Sequence, residues 1–180
     1  RILGGPPFSI TIHGPEEWDR PEALSLRDKY ERAAFIVAVS DFGRCQVYRW
    51  CGMEHWSKVH VVRCGLDAAF LEAAARPVPE TRRLLLVAAF TEQKGHLLLV
   101  KALGRVAMSG RDFEMLFAGD GPLRSAIETE IRNQGIESRV KLLGWQTNAQ
   151  VRELLTGSRA LIMPSFAENL PVAMMEAFAL

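Results

Sequence analysis

The sequence predicts an α/β chain built on parallel sheets, and three observations carry that expectation. Apolar runs of strand length alternate with helix-like segments along almost all of the 180 residues. Those runs are continuous rather than alternating, as strands covered on both faces tend to be. Gly, Pro, Ser and Asp punctuate the junctions between the two kinds of segment.

Taken in order, "FSITIHG" (8–14) is a β-rich run ending in Gly14, followed by a polar loop and a helix over about 21–33. "AFIVAVS" (34–40) is a second buried strand, and Ser40-Asp41 are suited to cap the helix carrying "RCQVYRW". A third strand falls in "KVHVVRCGLD" (58–67). The pattern then breaks, and "LEAAARPVPETRR", with Pro77 and Pro79, reads as a linker or hinge. Beyond it, "RLLLVAAF" (83–90) is a strand and residues 95 to about 108 a helix. "FEMLFAGDG" (113–121) is strand and turn, with Pro122 placed in the first turn of the next helix. "RVKLLGW" (139–145) is a strand, "NAQVRELL" (148–155) a short helix and "RALIMPS" (159–165) a strand that leads into a last helix from about Asn169.

Two alternating blocks joined by a hinge predict two Rossmann-like domains. Residues 1–66 read as the C-terminal part of the first, 67–82 as the hinge and 83–180 as a truncated second domain. Arg1 is not an initiator methionine and Leu180 falls inside a helical pattern, so the chain reads as a fragment of a longer protein.

A net charge of +1 gives no bulk electrostatic reason to expect nucleic-acid or membrane-surface binding. Cys45, Cys51 and Cys64 are odd in number and lack C-x-x-C spacing, which fits reduced thiols in a cytoplasmic protein. His13, His55, His60 and His96 make no metal-ligand pattern.

In open parallel sheets, ligands bind beyond the carboxyl ends of the strands. That rule selects His13-Gly14, Ser40-Asp41, the loop from Phe90 to Lys94, "GDGP", Gly144-Trp145 and "SFAENLP". Glu168 and Glu176 fall at the last of these, in an otherwise nearly apolar run. Eight residues of helix place them at most about 12 Å apart, a spacing that suits a ligand lying across a helix N-terminus. Free N–H groups near Asn169, Leu170 and Val172 would face an anion there. The same spacing also fits a solvated loop residue and an exposed helix position.

The final segment "SFAENLPVAMMEAFAL" resembles the E-x7-E signature of retaining GT-B glycosyltransferases of glycosyltransferase family 4. "ITIHG", "VAVSDFGR", "VVRCGLD", "TEQKG", "FAGDGPLR" and "VKLLGW" fall in the order that the family keeps, so the resemblance covers residues 9 to 180. The detailed wording is most like glycosyltransferases of exopolysaccharide or colanic-acid biosynthesis. The resemblance implies a GT-B fold and transfer of a sugar from a nucleotide-sugar donor to a polysaccharide or lipid-linked acceptor, with retention of anomeric configuration. It implies a cytoplasmic protein that can touch the inner membrane peripherally. The donor, a UDP- or GDP-sugar, is a substrate, and no metal or other cofactor is expected, because no D-x-D pair is present.

Each role follows residue by residue from the resemblance. Glu176 accepts hydrogen bonds from the two ribose hydroxyls, for which a carboxylate has the two oxygens needed. Glu168 holds donor-sugar hydroxyls near the reacting centre, with Asn169 and Leu170 supplying backbone donors. Lys94, beside Gly95, neutralises the leaving diphosphate. His13 approaches the donor sugar or acceptor, Gly121 shapes a turn under the nucleotide and Trp145 covers the base. Simpler readings stay open: an ordinary surface lysine, a histidine bonded to backbone and a core or rim tryptophan.

Two departures from the family pattern stand out. The strand before the lysine loop normally ends in an Arg that pairs with the Lys on the diphosphate, and Ala89 occupies that position. Arg82, Arg83 or a residue from segments outside this chain is an alternative source of the missing charge. Cys64 replaces a usual Asn. Ala89 and the truncation also fit a rival reading, a non-catalytic module that binds a nucleotide sugar or a partner. The fragment alone is expected to be inactive.

Overall fold

The computed structural model describes residues 5–14, 18–74 and 76–180. Residues 1–4 of the expected first domain, 15–17 of its polar loop and residue 75 of the expected linker lie outside the described residues. The chain divides into two compact units, Arg1–Gly65 with Glu168–Pro171, and Leu66–Ala167 with Val172–Leu180.

The first unit holds three short parallel strands, β1 (Ile10–Ile12), β2 (Ile36–Ala38) and β3 (Val59–Val61), in the order β1-β2-β3. Helix α1 (Leu26–Arg32) follows β1 and α2 (Asp41–Trp50) follows β2. Ile12, Ile36 and Val59 from the strands pack with Leu26, Tyr30 and Val47 from the helices in one buried cluster. The expected helix over 21–33 is shorter because Ser25 takes a left-handed φ of 50°, which ends any helical run leading into Leu26. At the other end of α1, Lys58 Nζ donates to the carbonyls of Glu31 and Ala33 at 2.8 and 2.9 Å, satisfying orphan acceptors where a cation also meets the helix dipole. Ser40 caps α2, its Oγ accepting the Gly43 N–H at 2.9 Å.

The second unit has four parallel strands, β4 (Arg83–Val87), β5 (Glu114–Ala118), β6 (Val140–Gly144) and β7 (Ala160–Leu161), in the order β6-β5-β4-β7. Between them run α4 (His96–Met108), α5 (Arg124–Gln134) and α6 (Asn148–Thr156), and α7 (Val172–Phe178) follows β7. Residues between 67 and 82 cluster with this unit and include α3 (Ala68–Leu71), capped by the Asp67 carboxylate. Successive β4 residues point to opposite faces, so Leu86 joins the core under α4 and α5 while Leu85 joins a second cluster under α6. Covered on both faces, the sheet explains the unbroken apolar runs of its sequence. Thr147 and Gln150 form a reciprocal capping box that starts α6.

Two expected elements are shorter than their sequence patterns. The strand over 159–165 is paired only at Ala160–Leu161, and Pro164 then removes a donor that pairing would need. The last helix begins at Val172 rather than near Asn169, since Pro171 disfavours a helical Leu170.

Beneath the start of α4 lies His96, only 1% exposed, with its ring edge-on to Phe90 (4.8 Å between centroids) and tilted to Phe117 (5.7 Å). Burial lowers its pKa to about 4, and the Thr91 backbone offsets only part of that penalty. The folded protein therefore refuses a proton that the unfolded chain accepts below about pH 6.5. Stability from this group is complete above that pH and is lost as pH falls toward 4, by about 3 kcal/mol over the interval. We expect His96→Leu to flatten this acid limb, measured as a smaller loss of melting temperature between pH 7 and 4.5 than in the wild type. An unchanged slope would remove His96 as its cause.

Candidate functional site

The β6-β5-β4-β7 order places a topological switch between β4 and β7, since β5 and β6 lie to one side of β4 and β7 to the other. In open parallel sheets ligands bind beyond the carboxyl ends of the strands at such a switch, among the loops that leave them. Here those loops are residues 88–95 and 162–167.

Backbone contacts shape this edge. After β5, the Asp120 carbonyl accepts the Phe90 N–H at 2.8 Å, and the Leu123 N–H donates to Phe90 O at 3.1 Å. The chain can pass this closely because residues 119 and 121 are glycine, at φ 145° and 155°. A Cβ on Gly119 would collide with the Ala88 carbonyl, and one on Gly121 would lie 2.8 and 2.9 Å from Phe90 O and N. Asp120 serves the same turn: Oδ1 accepts the Gly121 N–H and Oδ2 holds Arg124, each at 2.8 Å. "GDGPLR" thus builds a rigid turn, and Gly121 contributes through its lack of a side chain.

Across the switch, Gln93 joins the two loops in both directions. Its carbonyl accepts the Phe166 N–H at 2.8 Å, and its Nε2 donates to the Ala167 carbonyl at 2.8 Å. Lys94 ends the 3-10 turn Glu92–Lys94, and Gly95 at φ 69° leads into α4. A Cβ on Gly95 would collide with the carbonyl oxygen of Pro164, so the two loops meet backbone to backbone. Sequence analysis reaches the loop and the "TEQKG" segment that contain Gln93, but gives this side chain no role.

The other expected site residues are distributed as follows. Trp145 follows Gly144 at the end of β6 and is 71% exposed. Glu176 lies in α7, half-buried, and burial raises the pKa of its carboxyl. Glu168, Asn169 and Leu170 fall in the segment that clusters with the first unit, as does His13, exposed just after β1. Asn169 Nδ2 donates to the His13 carbonyl at 3.1 Å. The structure thus gathers Lys94, Gly95 and Gly121 around the β4 loop of the second unit, and His13 with Asn169 in the first.

Ala89 lies in the loop directly after β4, half-buried. Arg82 and Arg83 do not supply the missing guanidinium. They stand at the opposite end of β4, on the order of 20 Å away along the strand. Arg82 pairs there with Asp112, and Arg83 with Glu114 at 3.0 Å. Lys141 reaches the same Glu114 at 2.6 Å, and Lys141 and Arg83 together hold the Glu114 carboxyl below the usual range. These cations are committed to joining three neighbouring strands at their starts.

Residues 70–180 match the family model described as glycosyl transferases group 1. EpsF of Bacillus subtilis, described as a glycosyltransferase, is 37% identical over 132 residues, which cover 68% of this chain and 34% of EpsF. The colanic acid biosynthesis glycosyltransferase WcaL of Escherichia coli is 28% identical over 159 residues, 83% of this chain and 38% of WcaL. Among solved structures, Anabaena HepE in complex with UDP-glucose superposes with a TM-score of 0.78 at 18% identity, covering 96% of this chain and 51% of HepE. At that identity the likeness establishes the fold, which is of the GT-B type. The chain spans about a third of the length of EpsF and of WcaL.

The close approach of Gly95 to Pro164 gives a stability test. Gly95→Ala should cost more than Gly135→Ala, because both glycines have a similar positive φ (69° and 66°) but only Gly95 faces a neighbour within 4 Å. The left-handed backbone alone accounts for about 1–2 kcal/mol at either position. Denaturant unfolding of the two variants should show the excess at Gly95. Equal losses would mean that the two loops yield without cost.

Proposed function

Because this chain belongs to the glycosyl transferases group 1 family, we propose that it forms part of an enzyme that moves a sugar from a nucleotide-sugar donor to a polysaccharide or lipid-linked acceptor, with retention of configuration at the anomeric carbon. The observation that carries this reading is the family match over the second unit, joined to the place of Lys94 in the loop at the carboxyl end of β4. UDP-glucose in HepE, a protein of the same fold, supports a UDP-sugar as donor, with a GDP-sugar as the alternative. The kinship with WcaL, described as acting in colanic acid biosynthesis, supports a polysaccharide acceptor.

In this reading Lys94 offsets the charge that builds on the departing diphosphate, helped by the backbone N–H groups of Asn169 and Leu170. No metal ion takes part. Glu176 receives the ribose diol, Glu168 the hydroxyls of the donor sugar, and Trp145 lies over the base. His13 serves the sugar or the incoming acceptor hydroxyl. Positioning and charge stabilisation supply most of the rate, with no protein nucleophile required. Among the described residues no helix is long and apolar enough to cross a membrane. The reading places the enzyme in the cytoplasm, in peripheral contact with the inner membrane, and gives it no nucleic-acid partner. Ala89, where the family pattern has a cation, favours the second reading of a non-catalytic nucleotide-sugar-binding module. Sugar transfer or donor hydrolysis by the complete gene product would exclude that second reading.

The two glutamates should separate kinetically. Glu176→Ala is expected to weaken nucleoside diphosphate binding by a few kcal/mol, about 1.5–3 for each charged hydrogen bond lost. Glu168→Gln should lower turnover more than nucleotide affinity. Calorimetry and steady-state kinetics on the complete gene product would show this; the reverse pattern would mean that the roles are exchanged. The raised pKa of Glu176 adds a pH signature: nucleotide affinity should begin to fall at a pH above the ordinary glutamate range.

Ala89→Arg should improve diphosphate handling, since Arg82 and Arg83 are engaged at the far end of β4. A planar guanidinium can bond two phosphate oxygens, and its grip strengthens as charge develops on the leaving group. A gain of about 1.5–3 kcal/mol corresponds to roughly tenfold or more in rate or affinity. If neither turnover nor nucleoside diphosphate binding improves, the diphosphate is held by another route.

A further inference from the structure

We propose that the side chain of Asn169 is a positioning element for the donor site, holding the Glu168–Leu170 segment in place through a directed chain of hydrogen bonds. The inference rests on the function proposed above and concerns the carboxamide, whereas that reading uses only the backbone of this residue.

Within the first unit, Asn169 Nδ2 donates to the His13 carbonyl at 3.1 Å, while its Oδ1 accepts from the Ser40 hydroxyl. Ser40 Oγ in turn accepts the Gly43 N–H at 2.9 Å. The direction of every link is forced. A carbonyl only accepts and a backbone amide only donates, so the carboxamide nitrogen must face His13 and its oxygen must face Ser40. The hydroxyl, already accepting from Gly43, has its hydrogen available for Asn169. Bonds arranged head to tail in this way polarise and strengthen one another.

Sterics narrow the choice further. A Cβ on Gly43 would lie 3.1 Å from both Nδ2 and Oδ1 of Asn169, closer than ordinary contact, so the carboxamide lies against bare backbone in the first turn of α2. His13 follows β1 and Ser40 follows β2, strands whose relative register is set by the pairing of Ile12 with Ala38. Residue 169 is therefore pinned to two adjacent strand ends.

Glu168 and Leu170 stand one residue to either side, in a stretch with no helix or strand of its own. Pinning Asn169 restrains the Glu168 carboxylate and the Leu170 N–H together, and the shared bond also restrains His13. Such preorganisation acts on turnover more than on affinity, because misplaced groups still bind a donor but meet the transition state poorly. An aspartate would lose the donor and set a carboxylate against the His13 carbonyl. An alanine would lose both bonds.

Asn169→Ala and Ser40→Ala, singly and together in the complete gene product, test this. Their losses of melting temperature should not add, the double variant melting close to the worse single one. Asn169→Ala should lower kcat about ten- to a hundredfold, with donor KM changed by less than about threefold. Asn169→Asp should resemble it, whereas Ser40→Thr, which keeps the hydroxyl, should retain wild-type kcat. Additive melting losses would overturn the bridge, and an Asn169→Ala enzyme with unchanged kcat would overturn its positioning role. A wild type that transfers no sugar from any nucleoside diphosphate sugar would refute the proposed function instead, and the melting cycle would still decide the bridge.

Discussion

The second unit depends on how closely backbone can approach backbone at the carboxyl ends of β4 and β5. Phe90 is bonded at its N–H by Asp120 and at its carbonyl by Leu123, so the loop after β4 is held against the turn after β5. Side chains at 119 or 121 would force the two apart. With the loop tied on that side, residues 92–95 are left to face β7, where Gln93 and Gly95 meet residues 164–167. Lys94 sits between these two fixed neighbours.

Among the described residues, His96 is the polar member of the core beneath this edge, which is otherwise built from Phe90, Phe117, Leu86 and their apolar neighbours. Its imidazole fills space between Phe90 and Phe117, where burial penalises a charged ring more than the Thr91 backbone can offset. Burial keeps the ring neutral near pH 7, so His96 adds no cation beside Lys94. At the opposite end of the sheet, Arg83 and Lys141 share the Glu114 carboxylate across three strands.

In the first unit the strands are only three residues long, and the helices between them are closed by side-chain caps. Lys58 closes the end of α1, and Ser40 opens α2. Ser40 then performs a second task, because a hydroxyl that accepts from a helix amide still has a proton to give. That spare proton meets Asn169. A capping serine is a common local feature, yet here it also ties a residue 129 positions away.

The sequence by itself determined the alternation of strands and helices, because continuous apolar runs and turn residues are local properties that each segment expresses alone. It determined the family as well, since motifs such as "TEQKG" and "ENLP" keep their order without reference to contacts. Element ends were less legible: Ser25, Pro164 and Pro171 shortened α1, β7 and α7 through backbone conformation and missing donors that apolar patterns do not register. Only the tertiary structure decided which polar groups meet. Arg82 and Arg83 read as candidates for a phosphate until the parallel register put Arg83 opposite Glu114. Gln93 and Ser40 read as ordinary turn and cap residues, and their partners are the Phe166 N–H, the Ala167 carbonyl and Asn169. The reason is geometric. Hydrophobic periodicity is set within a few residues, whereas a hydrogen bond between residues far apart in the chain exists only once the fold has brought donor and acceptor within about 3 Å.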